Sequence, residues 1–156
     1  IYQCNKVYSS KYNQDMFKLT NDAVKGLRLL EDPIKDESSY GAFVDALYKA
    51  IYEGTGSCQR APKSEIVEDI IHLRTELRHD VDHGEKAKIR AKERLHAETV
   101  KKYSGKSSVM LLGKEDFLAL QLGVLTELRK YLEVILSTPI VHSQRIPVTQ
   151  GISRNE

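Results

Sequence analysis

The run from Lys114 to Leu136 constrains this chain most. Leu118, Leu122, Leu125, Leu128, Leu132 and Ile135 recur there at spacings of three and four. That is the period of one helical face, not of a strand. Thr138-Pro139 stops the run, because proline disfavours helical backbone in the residue before it. A long helix with one apolar stripe must lay that stripe against other helices.

Further stripes supply those helices. Met16, Leu19, Ala23, Val24, Leu27 and Leu30 form one face after a cap at Ser9 or Ser10, and Asp32-Pro33 ends it. Phe43, Ala46, Leu47, Ala50 and Ile51 form a second, opening at Ser38 or Ser39 and closing at Gly54. Pro62, Ser64 and Glu65 open a third helix. Its inward face is Ile66, Ile70, Leu73 and Leu77, widened by Val67 and Ile71, extended by Val81 and broken at Gly84. A fourth, from about Glu85 to Tyr103, is thinly apolar, which places it at the edge of a bundle. Ser107–Gly113 reads equally as a buried loop or a strand. The expectation is an all-α, antiparallel up-and-down bundle of four main helices plus a peripheral basic helix. Residues 1–10 read as a patternless N-terminal extension, residues 11–137 as the bundle, and residues 138–156 as an extended or disordered tail.

Composition narrows the class. A chain of 156 residues with net charge +2, 40% hydrophobic and 29% charged, suits one domain. No apolar run approaches the ~20 residues of a membrane span, and no signal-peptide pattern opens the chain. Cys4 and Cys58 alone give neither a disulfide framework nor a zinc pattern, which points to a reducing, cytoplasmic setting. The start at Ile1 rather than Met fits a trimmed chain or a piece of a longer protein with further domains. No Gly-rich phosphate loop appears. The near-neutral total hides a basic excess after Gly84: Lys86, Lys88, Arg90, Lys92, Arg94, Lys101, Lys102 and Lys106 against Glu93 and Glu98. Lys86, Lys88, Arg90, Lys92 and Arg94 are the candidate contacts to nucleic-acid phosphates.

The chemistry-bearing string is Leu77-Arg78-His79-Asp80-Val81-Asp82-His83-Gly84. It gathers an arginine, two histidines and two aspartates at a helix end, a density that suggests chemistry or a charged ligand as readily as a solvated terminus. Arginine binds phosphate through a planar fork, and histidine exchanges protons near neutral pH. RNA brings its own nucleophile, the ribose 2′-hydroxyl, so no metal or cofactor is required. On an unbroken helix Arg78 and His83 would point about 140° apart. A two-fold axis beside the helix end would gather two of each in one cleft. Asp80 and Asp82 could orient the histidines or hold the arginine, and Asp82 sits four residues after Arg78, an ion-pair spacing.

The string resembles the motif of HEPN domains: an arginine, a polar residue, three more residues and a histidine, often followed by glycine. The resemblance covers an all-α core from about Met16 to Leu136. Many members of that family are metal-independent endoribonucleases of defence, toxin–antitoxin and RNA-processing systems. They act as dimers that pair two motifs and leave a 2′,3′-cyclic phosphate. The resemblance implies Arg78 as phosphate and transition-state stabiliser, His83 as general acid/base and His79 as a supporting residue. One branch, paired with a minimal nucleotidyltransferase, carries tyrosine two positions after the motif histidine; Glu85 stands here, so that branch's chemistry is not supported.

Two rivals remain on sequence alone. His72, Glu76, His79 and His83 share a helical face at metal-ligand spacing, with His96 or Glu98 as further donors. A non-catalytic bundle that dimerises or binds RNA within a larger protein is the other. Tyr12, Tyr48, Tyr103 and Tyr131 read as packing residues.

Overall fold

A computed structural model describes residues 1–56, 59–75 and 86–137. Cys58, the whole Leu77–Gly84 string and the tail from Thr138 lie outside the described residues. Among the described residues the chain is an all-α bundle: α1 (Tyr2–Tyr12), α2 (Asn21–Arg28), α3 (Glu37–Leu47), α4 (Glu65–Thr75), α5 (Lys86–Ser104) and α6 (Lys114–Ser137).

The N-terminal third departs from expectation. Residues 2–12 are helical, not a patternless extension, and they pack against α6. Cys4 and Tyr8, one turn apart, are the buried side of α1, and the Cys4 thiol reaches the Leu132 carbonyl. Two apolar residues at one spacing are too short a signal for periodicity to register. Nor does one helix run from Ser9 to Leu30. Asn13 adopts a left-handed conformation, φ 52°, which ends α1 and which asparagine tolerates better than most residues. The Asn5 side chain then clamps the returning chain, donating to Phe17 O at 2.9 Å and accepting from Phe17 N at 2.8 Å. α2 starts afresh at Thr20, whose hydroxyl accepts from Ala23 N. Val24, expected inward, is exposed.

α3 is capped by Asp36, two to three residues before the expected serines. Ser39 N donates to the Asp36 carboxylate at 2.8 Å, and the Ser39 hydroxyl accepts from Asp36 N, a reciprocal cap. Beyond Leu47 the helix widens into a π-helical stretch, Tyr48–Glu53, before Gly54. The expected stripe of Phe43, Ala46, Leu47, Ala50 and Ile51 is buried throughout. Ser108 caps a short 3-10 turn, Val109–Leu111, where the sequence left loop and strand open.

α6 buries a face turned away from the leucine stripe and shares only Leu128 and Ile135 with it. Phe117, Leu120, Gln121, Val124, Leu128, Tyr131 and Ile135 face the core. Leu122 is 66% exposed, and Leu118, Leu125 and Leu132 are half-buried. Leucine identity hid the choice, since aromatic and β-branched residues one position away carry the same period. Gln121 is the polar member of the inward stripe. Its amide donates to the carbonyls of Leu30 and Asp32, and its oxygen accepts from Ile34 N at 3.1 Å. Backbone polar groups stranded beside Pro33 thereby find partners.

Candidate functional site

The Arg78 to His83 string falls in the chain between the described parts of α4 and α5, so these helices are its frame. α4 is fixed on one side by α3. Tyr40 Oη donates to Leu73 O at 3.1 Å. Arg74 Nε donates to Asp45 Oδ1 at 2.9 Å while its guanidinium lies 3.7 Å over the Tyr48 ring. Stacking and a charged hydrogen bond together hold the guanidinium plane. Arg74 stands one helical turn before Arg78 in sequence.

On the other side α4 is tied to an antiparallel α5. Lys102 Nζ sits 2.6 Å from both Glu65 Oε1 and Asp69 Oδ2, and Tyr103 Oη donates to the same Asp69 oxygen at 2.6 Å. Further along, His96 Nδ1 lies 3.2 Å from the His72 carbonyl oxygen. Removal from water works against the Lys102 charge, but its hydrogen bonds to Asp69 and Glu65 outweigh that and raise its pKa. Burial, then donation to Asp69, raises the Tyr103 hydroxyl. The hydrogen bond from Lys102 lowers the Glu65 carboxyl.

This pairing sets the level of the basic residues. Extending the Asp69–Tyr103 and His72–His96 steps by one turn brings Thr75 level with about Glu93. Lys86 to Lys92 therefore carry α5 about 10 Å past the last described residue of α4. Lys86, Lys88, Arg90, Lys92 and Arg94 are all exposed, as is Lys101. Lys86, Arg90 and Arg94 follow one another at four-residue spacing, on one face. Arg94 has Glu98 at 3.6 Å. The second half of α5 differs: His96, Thr99 and Val100 are buried, and Lys102, counted with the basic excess and still exposed, is paired with the α4 carboxylates.

The catalytic candidates Arg78 and His83, and the supporting His79, Asp80 and Asp82, lie outside the described residues. So do Glu76, His79 and His83 of the proposed metal face. Of its remaining members, His96 is buried against backbone, and Glu98 is exposed beside Arg94. Among the described residues no three His, Cys, Asp or Glu side chains converge as a metal site. No helix among them is long and apolar enough to cross a membrane.

Sequence reasoning passed over the Glu65, Asp69, Lys102 and Tyr103 cluster. It borders a cleft of about 300 Å³, also lined by Pro62, Ile66, Tyr131 and Val134. The available signal was the four-residue spacing of Glu65 and Asp69 on one face of α4. With one ammonium shared by two carboxylates and a phenol donating to one of them, the cluster acts as a tie between helices. No family model, curated protein or solved structure matches the chain.

Proposed function

We propose that this chain is an endoribonuclease domain that cleaves RNA without a metal, through 2′-hydroxyl attack at paired Arg78 and His83. The observation that carries the reading is a juxtaposition along the chain. The Arg78 to His83 string is followed at once by an exposed basic helix face, Lys86 to Arg94, much of which lies beyond the level of the last described residue of α4. Phosphate contacts from such a face supply affinity without sequence preference. In this reading Arg78 neutralises the scissile phosphate as charge develops on it. His83 takes the 2′-hydroxyl proton and, in a second copy, returns one to the leaving 5′-oxygen. Asp80, Asp82 and His79 hold these groups in orientation. A homodimer formed through the motif helix supplies the second set.

The test is cleavage of a mixed RNA pool by the purified chain in excess chelator. The expected products end in 2′,3′-cyclic phosphate and disappear in Arg78→Ala and His83→Ala at unchanged helix content. Cleavage that survives both substitutions, or that needs an added divalent ion, sinks the proposal. The same basic face also supports a non-catalytic RNA-binding module. That reading takes over if RNA is bound and never cut.

A further inference from the structure

The leucines that α6 does not bury follow a rule of their own. Leu118, Leu122, Leu125, Leu132 and Leu136 are separated by four, three, seven and four residues. With Arg129 filling the gap, they occupy alternate seam positions of a seven-residue repeat. At 100° per residue they fall within about 80° of arc, beside the core-facing line and not on it. Leu122 is 66% and Leu136 36% exposed, and Leu118, Leu125 and Leu132 are half-buried. On the other edge of the helix, Gly123 takes the ring of Tyr103 from α5. The strip is a second apolar face, with the period of a helix-to-helix seam.

We propose that this strip is the seam of an antiparallel homodimer in which α6 packs against α6 of a second copy. The strip's own charges name that occupant. Glu115, exposed, holds the seam position two repeats before Arg129. Two copies related by a two-fold axis level with Gly123 and Val124 set each Leu122 against the partner's Leu125. Leu118 then lies along the stem of the partner's Arg129. Glu115 comes to within about 4.5 Å, along the helix axis, of that guanidinium's level. Arg129, which already binds its own Glu133 at 2.8 Å, would lie between two carboxylates. In this register the centre of the seam is self-complementary, Leu122 on Leu125 and Leu118 on the Arg129 stem, while Leu132 lies level with the partner's Glu115 at its edge. It lies on α6, not on α4, so the proposal stands apart from the RNA-cleavage reading and is separable from the pairing of Arg78 with His83.

Sedimentation equilibrium of the whole chain, without RNA, tests it. The wild type should show concentration-dependent self-association through this seam, over and above any pairing at the motif helix. Leu122→Arg should raise the dimer Kd by about a hundredfold or more. Arg129→Glu should raise it about tenfold, and adding Glu115→Arg to that variant should restore it to within about threefold. Circular dichroism checks that each variant folds; should Leu122→Arg lose helix, the charge-exchange pair carries the test alone. A wild type that stays monomeric at every concentration overturns the proposal. So does a dimer indifferent to Leu122→Arg, or one that the charge exchange fails to rescue.

Discussion

Gly123→Ala sets two known effects against each other. Glycine within a helix costs about 1 kcal/mol relative to alanine, so at an open site the substitution would stabilise α6. Here an added Cβ would meet Tyr103 Cδ1 at 2.7 Å, well inside the ~3.5 Å at which carbon atoms rest. The ring must move by nearly 1 Å, and it is anchored at its far end by the 2.6 Å bond from Tyr103 Oη to Asp69. Overpacking costs about 1–3 kcal/mol, and weakening a hydrogen bond to a carboxylate costs part of a further ~1.5–3 kcal/mol. Net of the propensity gain, the variant should lose about 2 kcal/mol, lowering Tm by about 5 °C in a chain of this size. Urea and thermal unfolding followed by far-ultraviolet circular dichroism read this directly. The control is the same change in a Tyr103→Ala background. There the obstacle is gone, and the substitution should stabilise by about 1 kcal/mol. If Gly123→Ala stabilises equally in both backgrounds, the close approach of α5 to α6 is not what fixes glycine at this position.

Other perturbations probe other links. Arg74→Ala removes a half-buried guanidinium from Tyr48 and Asp45 and should cost about 1–2 kcal/mol in urea unfolding; Arg74→Lys, lacking the planar fork, should recover less than half of that. Lys106, first by its hydrogen bond, holds the Asp116 carboxyl below its ordinary value of 3.8. That stabilisation is complete above the unfolded pKa and fades as pH falls through the lowered folded one. The stability gap between wild type and Lys106→Met should thus be full at neutral pH and narrow below about pH 4 to what the Lys106 bond to the Leu111 carbonyl contributes; a gap constant with pH would refute the assignment. Charge reversal at Lys86 and Arg90 should weaken RNA binding in fluorescence anisotropy and flatten its salt dependence by about one unit of slope per lost phosphate contact. Unchanged binding would mean this face is only solvated.

The placement of the helices after Pro33 was largely legible because three- and four-residue spacings are dictated by burial on a curved surface, although six helices stand among the described residues where five were expected. α6 began and ended, and α3 and α4 began, close to where capping residues and prolines placed them; the expected end of α4 at Gly84 lies outside the described residues. α1 escaped notice because Cys4 and Tyr8 are all that it buries. Asn13 was likewise unreadable as a stop, since a left-handed residue is chosen by the tertiary return of the chain through Asn5 and Phe17. On α6 two apolar faces share one sequence, and nothing local says which of them meets the core. Of the candidate site residues, the basic face of α5 could be read from charge spacing and is exposed. The pairing of Lys102 could not be read, because its partners Glu65 and Asp69 lie on another helix.

The Gln121 amide has a consequence for how the chain is made. It grips Leu30 and Asp32 across 91 and 89 residues of sequence, while Cys4 reaches Leu132 across 128. Such contacts close last, after the long intervening loop has been drawn in. On a ribosome the N-terminal helices emerge well before the helix that anchors them. The turn at Pro33 therefore waits unsecured until α6 has cleared the exit tunnel, and a chain arrested before that point exposes the surfaces that α6 would cover.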